Sequence, residues 1–146
     1  MHVRLARLSD VSSIYRIGRN DFTDENWFTK GVLEWTIKSN PGLCWVLEED
    51  RKILGARLVC ECYGKSVWGW LMLINKDKRH EHLGTFLFDE TCKLLKKKGF
   101  GRIVTDVYTK NTASVNWHRK MGYRKLGLVK DWFDNGKDAM IFCKDL

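Results

Sequence analysis

Hydrophobic and polar residues follow two different periods in the first third of the chain. Alternation over residues 3–8 (VRLARL) predicts a short strand, while helical spacing predicts one helix over residues 8–22 and a second over residues 26–39. The turn NPG is expected to end the second helix. The buried stripe of the first helix is expected at Val11, Ile14 and Ile17, and its cap at Ser9 or Asp10.

The rest of the chain predicts six strands and two further helices. The polar turn DRK between the first two strands is typical of an antiparallel hairpin, and Gly99 is expected to stop the longer helix. The strands are predicted at residues 44–50, 52–63, 66–75, 101–109, 123–130 and 138–146, and the shorter helix at residues 113–121. The apolar stripe of the longer helix is expected at Leu83, Phe86, Leu87, Leu94 and Leu95.

The resulting order is βααβββαβαββ. An antiparallel meander therefore precedes a β-α-β segment, which predicts an α/β fold with a mixed sheet. The length of 146 residues suits one domain, residues 1–146, and the hydrophobic fraction of 44% predicts a packed core.

Charge and cysteine usage narrow the expected partners and compartment. The net charge of +8 suits an acidic partner, whether nucleic acid, an anionic membrane surface or a polyphosphate cofactor, and does not rank the three. An odd number of cysteines, five, predicts reduced thiols in a cytoplasmic protein. Cys60 and Cys62 lack a second pair at zinc spacing, so no metal site is expected. No apolar signal region or membrane-spanning run occurs, so no membrane partner is expected.

A basic cluster runs into a helix start at DKRHEHLGTFLFDE, residues 77–90. The first amides of a helix are unpaired and, with the helix dipole, favour a bound anion. Arg79, His80 and His82 add cationic or titratable groups there, and Gly84 would allow phosphates to approach the backbone closely. A plain strand-to-helix turn is the alternative, because neither a P-loop nor a dinucleotide motif is present.

A second stretch, TDVYTKNTASVNWHRKMGY at residues 105–123, favours the anion-binding interpretation of the basic cluster. Arg79 and Gly84 match the ends of R/Q-x-x-G-x-G/A, and Asn111 and Ser114 begin a match to N-x-x-[AS]-x-x-x-Y-x-x-x-G-[FY] that Gly122 and Tyr123 complete. The chain therefore resembles the GCN5-related N-acetyltransferase (GNAT) superfamily over nearly all of its length. His82 occupies the position of the first glycine of the first motif. A residue other than glycine is tolerated at that position if its φ is negative. His118 stands where many members have a tyrosine.

The resemblance implies the GNAT fold, a mixed and mostly antiparallel central sheet flanked by about four helices, and a site for acetyl-CoA as the acetyl donor. Asp106 is the implied general base, with a structural aspartate paired to an arginine as the alternative. His118 is the implied acid for the coenzyme A thiolate, with a partly exposed histidine beside Trp117 as the alternative. The implied cofactor-binding residues are Met72, Leu73, Ile74, Arg79, His80, Glu81, His82, Leu83, Gly84, Thr85, Asn111 and Ser114.

The acceptor implied by the resemblance is a primary amine. The tail DNGKDAMIFCKDL, with Trp132 and Phe133 before it, is similar to ribosomal-protein alanine N-acetyltransferases and favours a protein or peptide N-terminus. An ordinary hairpin with an Asn135-Gly136 turn is the alternative for this tail. Asp21, Asp24 and Glu25 are acidic side chains that could attract the amine, with a merely solvated loop as the alternative.

Other functions stay open at this point. One is acetylation of a small amine such as a polyamine, amino acid or aminoglycoside, and another is a catalytically silent acyl-CoA-binding module. A basic nucleic-acid-binding domain is the third, although no motif that recognises DNA or RNA supports nucleic acid as a partner. The sequence is also compatible with a homodimer.

Overall fold

The computed structural model describes residues 1–23, 25–79, 81–134 and 136–146. Within these ranges, seven strands form one sheet and four α-helices cover it. The strands are β1 His2–Leu5, β2 Cys44–Glu49, β3 Lys52–Glu61, β4 Ser66–Ile74, β5 Arg102–Tyr108, β6 Arg124–Phe133 and β7 Lys137–Asp145. The helices are α1 Val11–Gly18, α2 Lys30–Ser39, α3 Leu83–Lys97 and α4 Thr112–Lys120, with short 3-10 helices at Leu8–Asp10 and Lys76–Lys78.

The sheet has the strand order β1-β2-β3-β4-β5-β7-β6, and all neighbours are antiparallel except β4 and β5. This arrangement confirms the predicted mixed α/β fold. The parallel pair is short, because β4 contacts β5 only through Ser66, Val67 and Trp68. On the other side of β4, Leu71 pairs with Leu58 of β3 but Gly69 pairs with Val59, so Trp70 forms a bulge. Beyond it, β4 and β5 separate and leave a fork in the sheet.

Two apolar layers hold the helices to opposite faces of the sheet. Helices α1 and α2 pack through Val11, Ile14 and Leu33 against one face. Helices α3 and α4 pack on the other through Phe88, Leu95 and Val115, among others. The fork between β4 and β5 is therefore a gap in the sheet that is open to both of its faces.

Local hydrogen bonds explain where α2 begins and where α3 ends. The hydroxyl of Thr29 accepts from the amide of Val32 and starts α2. At the end of α3, Gly99 adopts φ +89°, and the amides of Gly99 and Phe100 bond back to carbonyls of the last turn. The predicted glycine stop is thus confirmed.

The first two helices are shorter than the sequence predicts. Helix α1 ends at Gly18 and α2 begins at Lys30, because Phe22, Trp27 and Phe28 pack as an aromatic cluster between the two helices. Phe28 packs on Tyr15 and Phe22, with ring centroids 5.6 and 4.9 Å apart. A Cβ added at Gly18 would come within 2.4 Å of the Phe28 ring, so this cluster requires glycine there.

Two side chains differ from their predicted roles in these helices. Asp10 occupies the N-cap position of α1, as predicted, but its side chain makes no capping hydrogen bond to that helix. The Asp10 carboxylate instead accepts from the amide of Arg7 at 2.7 Å and from Arg4 at 2.8 and 2.9 Å. Burial tends to raise the pKa of Asp10, but these hydrogen bonds hold it below its usual value. Phe86 lies on the exposed side of α3, whereas Phe88 takes the core position.

Candidate functional site

The separation of β4 and β5 opens a cavity of about 390 Å³, called the fork cavity below. Its lining on the α1/α2 face includes Phe22, Trp27 and Trp70, and its lining on the α3/α4 face includes Phe88 and Tyr123. Asp106 and His118, the two predicted catalytic residues, both line it. The fold therefore brings together two titratable side chains that are twelve positions apart in sequence.

A second cavity of about 320 Å³ lies at the start of α3 and is called the mouth cavity below. Met72, Leu73 and Ile74 of β4 line it, as do Arg79 and Gly84. It shares lining residues with the fork cavity, so the two adjoin. The shared residues are Met72, Ser114, Trp117 and His118.

The main chain of β4 is available along the mouth cavity. Residues 72–74 pair with β3 on one side, but their other edge faces the fork, where β5 no longer pairs with them. An extended ligand with amide groups can add to such an edge as an extra strand. The structure thus places Met72, Leu73 and Ile74 where the resemblance requires backbone contacts.

Gly84 lies in the first turn of α3, where the amides have no partner within the helix. A Cβ added at Gly84 would lie 3.6 Å from the Met72 methyl and 3.7 Å from Ile74, which are ordinary contact distances. Packing inside the protein therefore does not demand glycine. What a side chain would change is the mouth cavity, which Gly84 lines.

His82 is the residue immediately before α3, and its conformation corrects one expectation. Its φ is +57°, in the left-handed region, so the condition of a negative φ is not met. A non-glycine residue in that region is strained by about 1–2 kcal/mol. The side chain is exposed and does not line the mouth cavity, so it leaves the helix start open.

The other residues of the basic cluster have different environments. The guanidinium of Arg79 donates to the carbonyl of Ile74 at 3.2 Å and bonds the Asp21 carboxylate. Glu81 pairs with Lys78 at 2.8 Å on the surface, and Leu83 is a core residue at 5% exposure. Thr85 is half-buried and lines neither cavity. His80 lies outside the described residues.

Asn111 and Ser114 lie at the start of α4, on the opposite side of the fork from β4. The side-chain oxygen of Asn111 accepts from the amide of Ser114 at 3.1 Å, which fixes the first turn of α4. Asn111 lines the fork cavity, and Ser114 lines both cavities. Asn111 is therefore a helix cap and a cavity residue at once.

Asp106 is held by two tryptophans. Trp68 of β4 donates its indole N–H to Oδ1 at 3.0 Å, and Trp132 of β6 donates to Oδ2 at 2.9 Å. Alternation along β5 directs Asp106 to the same face as Val104 and Tyr108, while Thr105 and Val107 are buried on the other face. The structural alternative expected an arginine beside this carboxylate; the described partners are indoles.

His118 lies in the last turn of α4 and is packed among aromatic rings. Its ring stacks on Phe142 at 5.6 Å between centroids, and its Nδ1 lies 2.8 Å from the Ser114 carbonyl. Since a carbonyl only accepts, Nδ1 carries the hydrogen, and the neutral ring presents a lone pair at Nε2. Burial lowers the pKa of His118 below 6.5; the Ser114 carbonyl opposes this shift and the charge of Arg57 adds to it.

The α1/α2 end of the fork cavity combines aromatic rings with one ion pair. Glu25 accepts from Lys137 of β7 at 3.0 Å and from the indole of Trp27 at 3.2 Å. Trp27 and Trp70 meet edge to face at 5.5 Å. Of the two predicted acidic side chains that the structure describes, Glu25 lines this cavity, whereas Asp21 lines the mouth cavity and contacts Arg79. Asp24 and the Asn135 of the predicted turn lie outside the described residues.

Arg57 of β3 is the site residue that sequence reasoning missed. Its side chain is 2% exposed and lines the fork cavity beside Phe88. The signal was present, because an arginine in the middle of the apolar run KILGARLVCECY is unusual for a buried strand.

The cysteines do not contribute to either cavity. All five are free, and Cys62 lies beyond the end of β3. Burial raises the pKa of Cys44 to about 11. In the part of the chain that the structure describes, no three metal-ligating side chains come together, and no helix is long and apolar enough to cross a membrane.

Comparison with known proteins identifies the family. The model of the Acetyltransferase (GNAT) family matches residues 9–123, so the chain belongs to the GNAT family. A search of curated protein sequences found no match.

Solved structures with the same fold cover almost the whole chain. Ard1 from Thermoplasma volcanium has a TM-score of 0.91 at 16% identity, over 99% of this chain and 97% of its own. The ribosomal-protein-alanine N-acetyltransferase from Brucella melitensis has 0.81 at 18% identity, over 100% of both chains. PaiA N-acetyltransferase from Thermoplasma acidophilum, solved in complex with coenzyme A, has 0.79 at 16% identity over 99% and 98%. These likenesses confirm the predicted fold.

Proposed function

We propose that the protein is an acetyl-CoA-dependent N-acetyltransferase that acts on a primary amine, and that residues 1–146 are its one catalytic domain. The observation that carries this proposal is the joined pair of cavities. One begins at the unpaired amides of α3, and the other contains a carboxylate and an imidazole. Family membership and a neighbour solved with coenzyme A support acetyl-CoA as the donor.

The donor would bind with its pyrophosphate at the start of α3 and its pantetheine arm along β4. The helix start supplies amides and dipole for the anion. Gly84 leaves room for it, and Arg79 lies close enough to add its charge after exchanging Asp21 for phosphate. Residues 72–74 and Asn111 would pair with the amides of the arm from the two sides of the fork.

The reaction is attack of the amine nitrogen on the thioester carbon. The C–N bond forms, the C–S bond breaks, and its electron pair leaves on sulfur. The ammonium proton is transferred to Asp106, directly or through water, because its carboxylate lines the cavity and its oxygens retain free lone pairs. After the C–S bond has broken, His118 takes up a proton from water at Nε2 and delivers it to the thiolate.

The preferred acceptor in this proposal is a peptide N-terminus. Glu25 offers a carboxylate to a cationic α-amine on its way to the fork, and Trp27 and Trp70 offer an apolar surface to the first side chain. The name of one structural neighbour, a ribosomal-protein-alanine N-acetyltransferase, is in keeping with a protein substrate. A small amine would use the same carboxylate.

Two measurements test the proposal in order. Calorimetry with acetyl-CoA should show binding, and a thiol-release assay over peptides, polyamines, amino acids and aminoglycosides should then show turnover with at least one amine. Binding without turnover on the whole panel would identify a silent acyl-CoA-binding module. Absence of binding would refute the function itself.

A further inference from the structure

Arg57 has an unusual environment for a buried cation. Its Nη1 donates to Thr91 at 2.6 Å, the Phe88 carbonyl at 3.2 Å and the Cys92 sulfur at 3.6 Å. The Tyr123 hydroxyl is a further hydrogen-bond partner of the guanidinium. The guanidinium also lies 4.5 Å from the centre of the Phe88 ring. No carboxylate in the described ranges forms an ion pair with it.

A buried charge without a counter-ion is costly, and proteins normally pair it. Arg57 nevertheless lies on the α3/α4 side of the fork cavity, at 2% exposure, with His118 and Tyr123 in the same lining. Nη1 alone makes the hydrogen bonds to α3. Since a guanidinium has five N–H donors, Arg57 keeps donors for an anion in the cavity even with Tyr123 as a further partner.

The state of the His118 ring leads us to expect an anion in the part of the fork cavity that Arg57 and His118 line. The neutral ring donates Nδ1–H to the Ser114 carbonyl and has only a lone pair at Nε2, so it has no hydrogen for a departing sulfur. A second hydrogen on this ring would place a further charge close to that of Arg57. At neutral pH the leaving group therefore departs without immediate protonation by this residue.

We infer that Arg57 stabilises the coenzyme A thiolate as the C–S bond breaks. The inference rests on the proposed function, because it takes the thioester sulfur of acetyl-CoA to lie beside His118 in the fork cavity. The electron pair of the broken bond stays on sulfur as a thiolate next to the guanidinium. The ammonium proton leaves by way of Asp106 or water, and the thiolate is protonated by His118 or solvent afterwards. Fixed charge aimed at a developing anion is the kind of stabilisation that accelerates such a step.

The test is a titration of the thiol of bound coenzyme A, which needs neither acceptor nor turnover. The ultraviolet absorbance of the thiolate is followed against pH, and the complex with desulfo-coenzyme A is subtracted to remove protein signals. An ordinary alkyl thiol has a pKa of about 8.5. A nearby cation should lower it by about 1–3 units in the wild-type complex, and Arg57→Met should remove most of that depression. The other titratable or charged groups around this end of the cavity are Cys92, Asp106, His118, Tyr123, Cys143 and Lys144.

Lys144→Met is the matched control. Lys144 belongs to β7 and lies 5.9 Å from the same Phe88 ring, yet it does not line the fork cavity. Both variants remove one positive charge near that ring, so only a charge that faces the sulfur should alter the titration. Arg57→Lys keeps the charge and should retain part of the depression. It also serves as the second variant if Arg57→Met does not fold.

Kinetics give an independent readout. Arg57→Met should lower kcat about tenfold to a hundredfold with little change in KM for acetyl-CoA, because the charge acts on the transition state and not on the resting thioester. A purely structural role would shift Tm and leave the thiol pKa unchanged, and that result would overturn the inference. A wild-type preference for succinyl-CoA over acetyl-CoA that Arg57→Met abolishes would also overturn it, by assigning the charge to an acyl carboxylate. If coenzyme A does not bind at all, the proposed function fails first.

Discussion

The two ends of the connected cavities are built in different ways. The mouth cavity depends on main chain and on the absence of a side chain at Gly84, with β4 presenting an unpaired edge. The α1/α2 end of the fork cavity is built from side chains, chiefly aromatic rings and the carboxylate of Glu25. Under the proposed function the mouth cavity binds the donor and the α1/α2 end binds the acceptor. A site made from backbone tolerates sequence change, whereas a site made from side chains changes its specificity with each substitution. The difference therefore predicts which mutations affect which substrate.

Asp106→Ala removes the group that the proposal assigns to proton removal from the amine, so it should have the largest effect. We expect kcat to fall about 10²–10⁴-fold, with the Kd for acetyl-CoA little changed. Thiol release measures the first quantity and calorimetry the second. Asp89→Ala, an exposed carboxylate on α3, is the control and should behave as wild type. Unchanged turnover in Asp106→Ala would leave proton removal to water.

Gly84→Ala should affect the donor alone. A methyl group there meets Met72 and Ile74 at ordinary distances but enters the mouth cavity. We expect the Kd for acetyl-CoA to rise about tenfold, while the free energy of unfolding increases by about 0.5–1 kcal/mol because alanine is the better helix former. Calorimetry and chemical denaturation measure the two. Equal affinity in both proteins would contradict a phosphate site at this helix start.

Glu25→Gln should affect the acceptor alone. The amide keeps the shape of the side chain but removes the charge that would attract an ammonium group. We expect KM for the amine to rise about fivefold, which corresponds to about 1 kcal/mol, with the Kd for acetyl-CoA unchanged. The control is Glu34→Gln, an exposed residue of α2 that pairs with Lys38. Equal loss for donor and acceptor would mean that the two ends are not separate sites.

His118→Phe should alter the dependence of stability on pH, the smallest effect of the series. Burial lowers the pKa of His118 below 6.5, so the unfolded chain binds more protons as the pH falls through that value. The histidine therefore destabilises the fold as the pH drops from about 6.5. We expect the variant to lose less stability between about pH 7.5 and 5.5 than wild type, measured by Tm at each pH. His2→Phe, at an exposed position, should keep the wild-type profile; a profile shared by all three proteins would show that His118 is not the group responsible.

The sequence by itself determined the order of elements and most of the motif positions. Periodicity separates strands from helices because each element buries one face, and it placed the meander, the β-α-β segment and the Gly99 stop correctly. Asn111 also acts locally, because it caps α4 through the amide of Ser114, three positions away. Local rules suffice wherever the determining contacts are local.

Only the tertiary structure decided how long the first helices are and what surrounds the catalytic candidates. The first helix ends at Gly18, earlier than its pattern predicts, because Phe28 packs on Tyr15 and against Gly18. The two indoles at Asp106 come from strands 38 and 26 positions away in sequence, and Arg57 meets Thr91 across 34. Such contacts depend on which strands become neighbours and where the sheet opens, and no local periodicity encodes that.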